Sequence, residues 1–281
     1  MHYLGRRGVA APVLLGLGGM LAALSTGCGS SSTSATARIR GTDLSVNGGT
    51  TGVLVNLTAV GGDLSFNQTS PYNYVGQGVS TLSYTTSAAP PTVTVSGATT
   101  SIVIPPNPQL QLNNGSFYSA YLIGRVDVLP LTTARADPRF LQAVVTGDRG
   151  AAANYIASTS GATVPPYSDP PSGQANIRIL NAAPDAGPVD VLIGGKVVFP
   201  AVIYPVLPLG IGGTNVAAGI PATAYAAQPS GTLSIQINAA GTSTILVPST
   251  NILVGSSGVY TVAVTEPTIA PTYSLSTKSD D

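Results

Sequence analysis

Beyond residue 28 the apolar positions follow a period of two, with no sustained period of 3.6. Leu233, Ile235 and Ile237 alternate with Ser234 and Gln236, the pattern of a strand with one buried face. Short β-branched runs predict further strands over residues 176–180, 189–193, 196–199, 243–247 and 259–264. Corners such as Asn47-Gly48, Asn114-Gly115 and Gly194-Gly195 supply the positive φ that tight turns need. Short strands closed by frequent turns predict an all-β chain built as β-sandwiches.

The pattern occurs twice. "ARIRGTDLSVNGGTTGVLV" from Ala37 aligns without gaps to "ANIRILNAAPDAGPVDVLI" from Ala175, so that Ala37/Ala175, Ile39/Ile177, Arg40/Arg178, Gly49/Gly187, Val53/Val191 and Leu54/Leu192 coincide. Further on, "TTSIVIP" (99–105) matches "TSTILVP" (242–248), and "FYSAYL" (117–122) matches "VYTVAV" (259–264). Order and spacing are kept, as in a tandem repeat. The units are 37–150 and 174–281, and Ile39 and Ile177, Val53 and Val191, and Tyr118 and Tyr260 are expected at corresponding places. Residues 151–173, with Pro165-Pro166 and Pro170-Pro171, read as a semi-stiff, exposed linker.

In the second unit, "ANIRILNAAPDAGPVDVLIGGKVVF" (175–199) and "GVYTVAV" (258–264) resemble the bacterial envelope domain-of-unknown-function family 4397 (DUF4397). Members of that family show a strand, an H/N-A-S/A-P-D-A turn, a V-D-V strand and a late Y-T-V strand, often in tandem on exported proteins or lipoproteins. In the first unit "GTDLSVNGG" stands in place of the P-D-A turn, and membership follows from the internal alignment. The resemblance implies two immunoglobulin-like β-sandwich domains in tandem at the cell surface. Pro184, Asp185 and Asp190 would be residues of the signature turn with a structural role, and no catalytic residue is carried over.

The one strongly apolar stretch lies at the N-terminus. Arg6 and Arg7 precede an apolar segment over residues 9–24, interrupted by Pro12, Gly16, Gly18 and Gly19. It is too short for a spanning helix and has the layout of an export signal. "STGCGSSSTSAT", from Ser25, resembles a lipobox: small residues, Cys28, then a Ser/Thr-rich tail, with Ser25 where Leu or Val is usual. It implies a signal peptide over 1–28, acylation of Cys28, a tether over 29–36 and a membrane partner through the lipid anchor. Gly29 after the cysteine points to the outer membrane.

Composition narrows the chemistry. Of 281 residues only 8% are charged and the formal net charge is +0, so there is no basic surface for nucleic acid. The only histidine is His2 and the only cysteine Cys28. A chain cut at Cys28 therefore cannot build a His-dependent triad or a His/Cys zinc site. Asp185 and Asp190 could suggest the paired carboxylates of glycoside hydrolysis. They align with Asn47 and Gly52, so the pair exists in one unit only, and a turn role is favoured in which a short side chain accepts from backbone two residues on. "GIGGTN" (210–215) reads as a bend, Glu266 as a loop residue, and Arg40 and Arg178 as strand arginines with their stems on the sheet and heads in water. Neither a cofactor nor a metal is implied. The expected function is non-catalytic: a surface-displayed structural or adhesive module meeting another envelope protein or surface polysaccharide. A carbohydrate-binding module is the alternative, signalled by an exposed row of tyrosines drawn from Tyr72, Tyr74, Tyr204 and Tyr225.

Overall fold

The computed structural model describes residues 36–87, 93–95, 98–100, 109–126, 139, 141–148, 154–156, 169–205, 222–268 and 272–280. Every regular element among them is a strand. The first half contains β1 (Thr36–Asp43), β2 (Thr51–Val55), β3 (Thr58–Leu64), β4 (Asn73–Gly76), β5 (Gly78–Thr86), β6 (Val93–Val95), β7 (Ala98–Thr100), β8 (Gln109–Leu112), β9 (Phe117–Ile123), β10 (Gln142–Gly147) and β11 (Asn154–Ile156). The second contains β12 (Gln174–Asn181), β13 (Val189–Ile193), β14 (Lys196–Val202), β15 (Ala226–Pro229), β16 (Gly231–Ala239), β17 (Ile245–Val254), β18 (Val259–Thr265) and β19 (Ser274–Ser279).

The two halves have the same strand order. The first forms sheets β10-β9-β1-β4 and β11-β8-β5-β2-β3; the second forms β19-β18-β12-β15 and β17-β16-β13-β14. Register is duplicated as well. Ile39 pairs with Tyr118 in the parallel β1–β9 ladder, and Ile177 with Tyr260 in the parallel β12–β18 ladder. Val53 faces Tyr84 on β5, and Val191 faces Ile237 on β16. Since a slip of one residue would turn a strand's side chains to the opposite face, shared register means shared inner faces. Among the described residues the β6–β7 hairpin and β11 have no counterpart in the second half.

In each half the two sheets enclose a core. Ile39, Val53, Leu82 and Tyr118 lie in one cluster, and Ile177, Val191, Ile235 and Val262 in the other. β16 keeps the alternation read from its sequence, with Leu233, Ile235 and Ile237 buried and Ser234 and Gln236 half-buried. β9, β10, β12 and β18 are instead buried almost continuously, as strands covered on both faces are. What covers them is the other half. Residues 35–281 form one compact unit, and the first core extends to Leu180, Ala182, Tyr204, Ala222 and Ala263 of the second half.

Turn chemistry is repeated too. Gly49 and Gly187 both take φ near 65–68°, a conformation that costs glycine little and other residues more. The Tyr118 hydroxyl accepts from the Asn113 N–H at 3.0 Å and the Tyr260 hydroxyl from the Gly255 N–H at 2.8 Å, pinning the same turn twice. Of the stretch read as an exposed linker, Asn154–Ile156 is strand β11, paired antiparallel with β8. The matched block 99–105 lies mostly outside the described residues. No helix among the described residues is long and apolar enough to cross a membrane.

Candidate functional site

Among the described residues the strongest concentration of polar chemistry lies where the halves meet, and each half contributes an arginine, a hydroxyl-bearing Ser or Thr, an aspartate and a tyrosine. In the first, Arg40 on β1 donates through Nε to Ser119 Oγ on β9 at 2.7 Å. Ser119 in turn donates to Asp148 at 2.6 Å, and Tyr72 donates to the same carboxylate at 2.7 Å. In the second, Arg178 on β12 donates through Nε to Thr261 Oγ1 on β18 at 2.7 Å. Thr261 donates to Asp280 at 2.7 Å, and Tyr225 donates to it at 3.0 Å. Each guanidinium lies over its tyrosine ring, Arg40 at 4.6 Å from the Tyr72 centroid and Arg178 at 4.7 Å from that of Tyr225, within cation–π range.

Each quartet also reaches into the other half. Arg178 donates to Asp148 at 2.9 Å, to Gly147 O at 2.7 Å and to Thr146 Oγ1 at 2.8 Å. Reciprocally, Arg40 donates to Ser279 O and to Asp280 at 3.3 Å. Gly147 pairs with Tyr118 and Ser279 with Tyr260, so the acceptors occupy equivalent places. The interface has the reciprocity of an isologous dimer contact, made within one chain.

Arg178 is 1% exposed and Asp148 and Asp280 are 0% exposed, which corrects the expectation that the arginine heads lie in water. A second sheet covers the face from which they would have reached solvent. Burial alone would depress the Arg178 guanidinium, but Asp280, Tyr225 and Asp148 outweigh it and hold Arg178 above its ordinary value. Burial pushes the Asp280 carboxyl up to about 6, Arg178 pulling it back and Asp148 adding to the rise. Burial likewise pushes the Tyr72 and Tyr225 hydroxyls up. The chemistry of the cluster is that of a satisfied internal ion network, with charges paired and the remaining lone pairs hydrogen-bonded.

The turn residues have separate tasks. Asp190 accepts from the Ala201 and Gly241 N–H groups, both at 2.8 Å, and these bonds hold its carboxyl below the ordinary value. Asp185 bonds to Arg125, to Arg139 at 2.8 Å and, through its own N–H, to Glu266 at 3.2 Å. Pro184 is buried at the start of that turn. The side-chain bond to backbone two residues on, expected at Asn47 and Asp185, is made four residues earlier. Asp43 accepts from the Ser45 N–H at 2.8 Å and Asn181 from the Ala183 N–H at 3.2 Å. Arg125 draws the Asp185 carboxylate toward the other half instead. Glu266 follows β18 and is 0% exposed, and burial pushes its carboxyl up.

Tyr72, Tyr74, Tyr204 and Tyr225 do not form an exposed row. Tyr72 and Tyr225 are packed under arginines, Tyr204 is buried, and Tyr74 is exposed beside Arg38. An open polar groove of about 520 Å³ lies between β3 and β4, lined by residues including Gly61, Asp63, Gln68, Ser70 and Asn73. His2, Cys28 and residues 210–215 lie outside the described residues. No group of three or more His, Cys, Asp or Glu that could hold a metal occurs among the described residues.

Sequence reasoning found Arg40 and Arg178 as a repeat pair and missed their partners. Ser119/Thr261, Asp148/Asp280 and Tyr72/Tyr225 recur in the same order, but at offsets of 142, 132 and 153 against 138 for the arginines, so an ungapped extension of the alignment does not bring them together. No protein-family model matches the chain, and no curated protein matches it.

Proposed function

We propose that this chain is a non-catalytic, exported module of the cell envelope, anchored through Cys28 and acting as a structural or adhesive scaffold of two immunoglobulin-like repeats. The observation that carries this reading is the duplicated Arg–Ser/Thr–Asp–Tyr network, which directs the polar chemistry of both repeats inward, into the joint between them. A rigid joint serves a protein that displays a surface at a distance from its anchor. The paired tyrosine hydroxyl bonds support the immunoglobulin-like reading, because a tyrosine bonded to backbone a few residues upstream recurs in such folds. Asp185 and Asp190, each bound to different partners, act as structural residues of the turn.

Anchoring is tested by labelling growing cells with a fatty-acid probe. The wild type should be labelled and the Cys28→Ser variant should not, and equal labelling would overturn the anchor. The non-catalytic reading is tested on a panel of glycans and esters, where no hydrolysis is expected. Hydrolysis lost in a folded Asp185→Asn variant would refute it. The groove beside Asp63 favours a second reading, a carbohydrate-binding module. Glycan-array binding that is lost in Asp63→Ala would establish that reading instead.

A further inference from the structure

The matching sheet edges of the two halves are treated differently. In the first half the outer edge of β8 is closed by β11, with Gln109, Leu110 and Gln111 paired to Ile156, Tyr155 and Asn154. β17 holds the equivalent place in the second half, since Gly78 pairs with Leu112 as Gly231 pairs with Val254. Following those ladders outward, the positions that carry β11 correspond to Asn251, Ile252 and Leu253. Among the described residues no strand pairs with this edge of β17.

Open edges offer unpaired backbone N–H and C=O groups and are normally guarded by lysine, proline or a bulge. On β17 the guards are confined to one end. Pro248 lies in its first half, and the register shift lies opposite Ile235 and Ile237. Residues 250–254 carry neither charge nor proline, and Leu253 is 77% exposed.

We propose that the Asn251–Leu253 edge of β17 is a strand-acceptor site for an extended, uncharged segment of another polypeptide carrying β-branched or aromatic residues. The segment adds antiparallel, in the register β11 uses on β8. Main-chain bonds to the edge supply affinity, and the side chains flanking Leu253 supply selectivity. This deepens the adhesive reading and rests on it for its use at the cell surface. The acceptor geometry itself depends only on the strand pairing.

The test is an isotope-edited NMR titration of the full chain with a synthetic peptide of residues 151–159 (AAANYIAST). The expected result is a saturable shift confined to residues 250–254 and a slowing of their amide exchange by about tenfold or more at saturation. A peptide with Tyr155→Pro, and one N-methylated at successive positions, should lose the effect because a ladder donor is gone. No saturable shift, or shifts centred on other strands, would overturn the site. Shifts in 250–254 that depend on protein concentration without peptide would overturn the occupant in favour of a second copy of the chain. None of these failures touches fatty-acid labelling at Cys28 or the hydrolysis panel, so they are distinguishable from failure of the proposed function.

Discussion

Arg40 and Arg178 stand at the same place in two copies of one fold, yet they are held unequally. The Arg178 side chain is 1% exposed and that of Arg40 11%. The difference accompanies a change at one position on β10 and its counterpart on β19. Thr146 pairs with Ser119 as Lys278 pairs with Thr261. Thr146 accepts from Arg178 at 2.8 Å, whereas Lys278 has no acceptor to offer Arg40 and instead donates to Asn67 O at 2.7 Å. Burial and the nearby Arg40 both lower the Lys278 ammonium. Tyr121 and Ala263 differ similarly, pairing with Thr42 and Leu180 at matching registers. Backbone symmetry survives in the joint while the side chains have diverged to fill it, as expected where packing selects shape at each site separately.

The largest effect should come from the central arginine. Arg178→Ala leaves Asp148 and Asp280 buried without their main counter-charge, and should cost about 3–5 kcal/mol of unfolding free energy. Arg40→Ala, with fewer bonds and more solvent, should cost less, about 2 kcal/mol. Urea unfolding of both variants checks the order, and equal losses would break the asymmetry.

The proton on Asp280 sharpens the comparison next. Its folded value, about 6, lies above the ordinary 3.8, so the folded chain holds that proton more tightly than the unfolded one. The stabilisation is fully present below 3.8 and is lost as pH rises through about 6. Unfolding free energy measured across this window should fall less steeply with pH in Asp280→Asn than in the wild type. An unchanged slope would show that Asp280 is not the group responsible.

The tyrosine turns give a smaller test. Tyr118 is fully buried and Tyr260 only partly so, and each accepts from one turn N–H. Tyr118→Phe should cost about 1 kcal/mol and Tyr260→Phe less, since water can reach that turn more readily. Thermal denaturation of the pair reads the difference. Last, the hydroxyl of Tyr121 is buried without a hydrogen-bond partner among the described residues, where the second half carries Ala263. Tyr121→Phe should leave stability unchanged or raise it by up to about 1 kcal/mol, and a loss on that scale would reveal a bond at that hydroxyl.

Much of the fold was legible in residue pattern. Alternation identified β16, the runs at 176–180, 189–193 and 259–264 lie within β12, β13 and β18, and the internal alignment placed Ile39, Val53 and Tyr118 opposite their counterparts. Short polar strands were not legible. Ala226–Pro229 and Ser274–Ser279 have little apolar periodicity, and tertiary pairing alone makes them strands. The interface network was half legible. Its arginines stood out because they repeat in the first strand, whereas Asp148 and Asp280 follow β10 and β19 and reach the arginines only when the sheets assemble.

The sequence by itself determined the all-β character, the turn positions and the duplication, because these rest on local backbone preference and on a period of two that any half-buried strand displays. Only the tertiary structure decided that the halves join through their arginine-bearing faces, that these charges are buried and paired, and that one sheet edge is closed by β11 while its counterpart has no partner among the described residues. Burial of a strand's second face and closure of a sheet edge depend on residues far away in the chain, and no local pattern encodes which distant surface arrives.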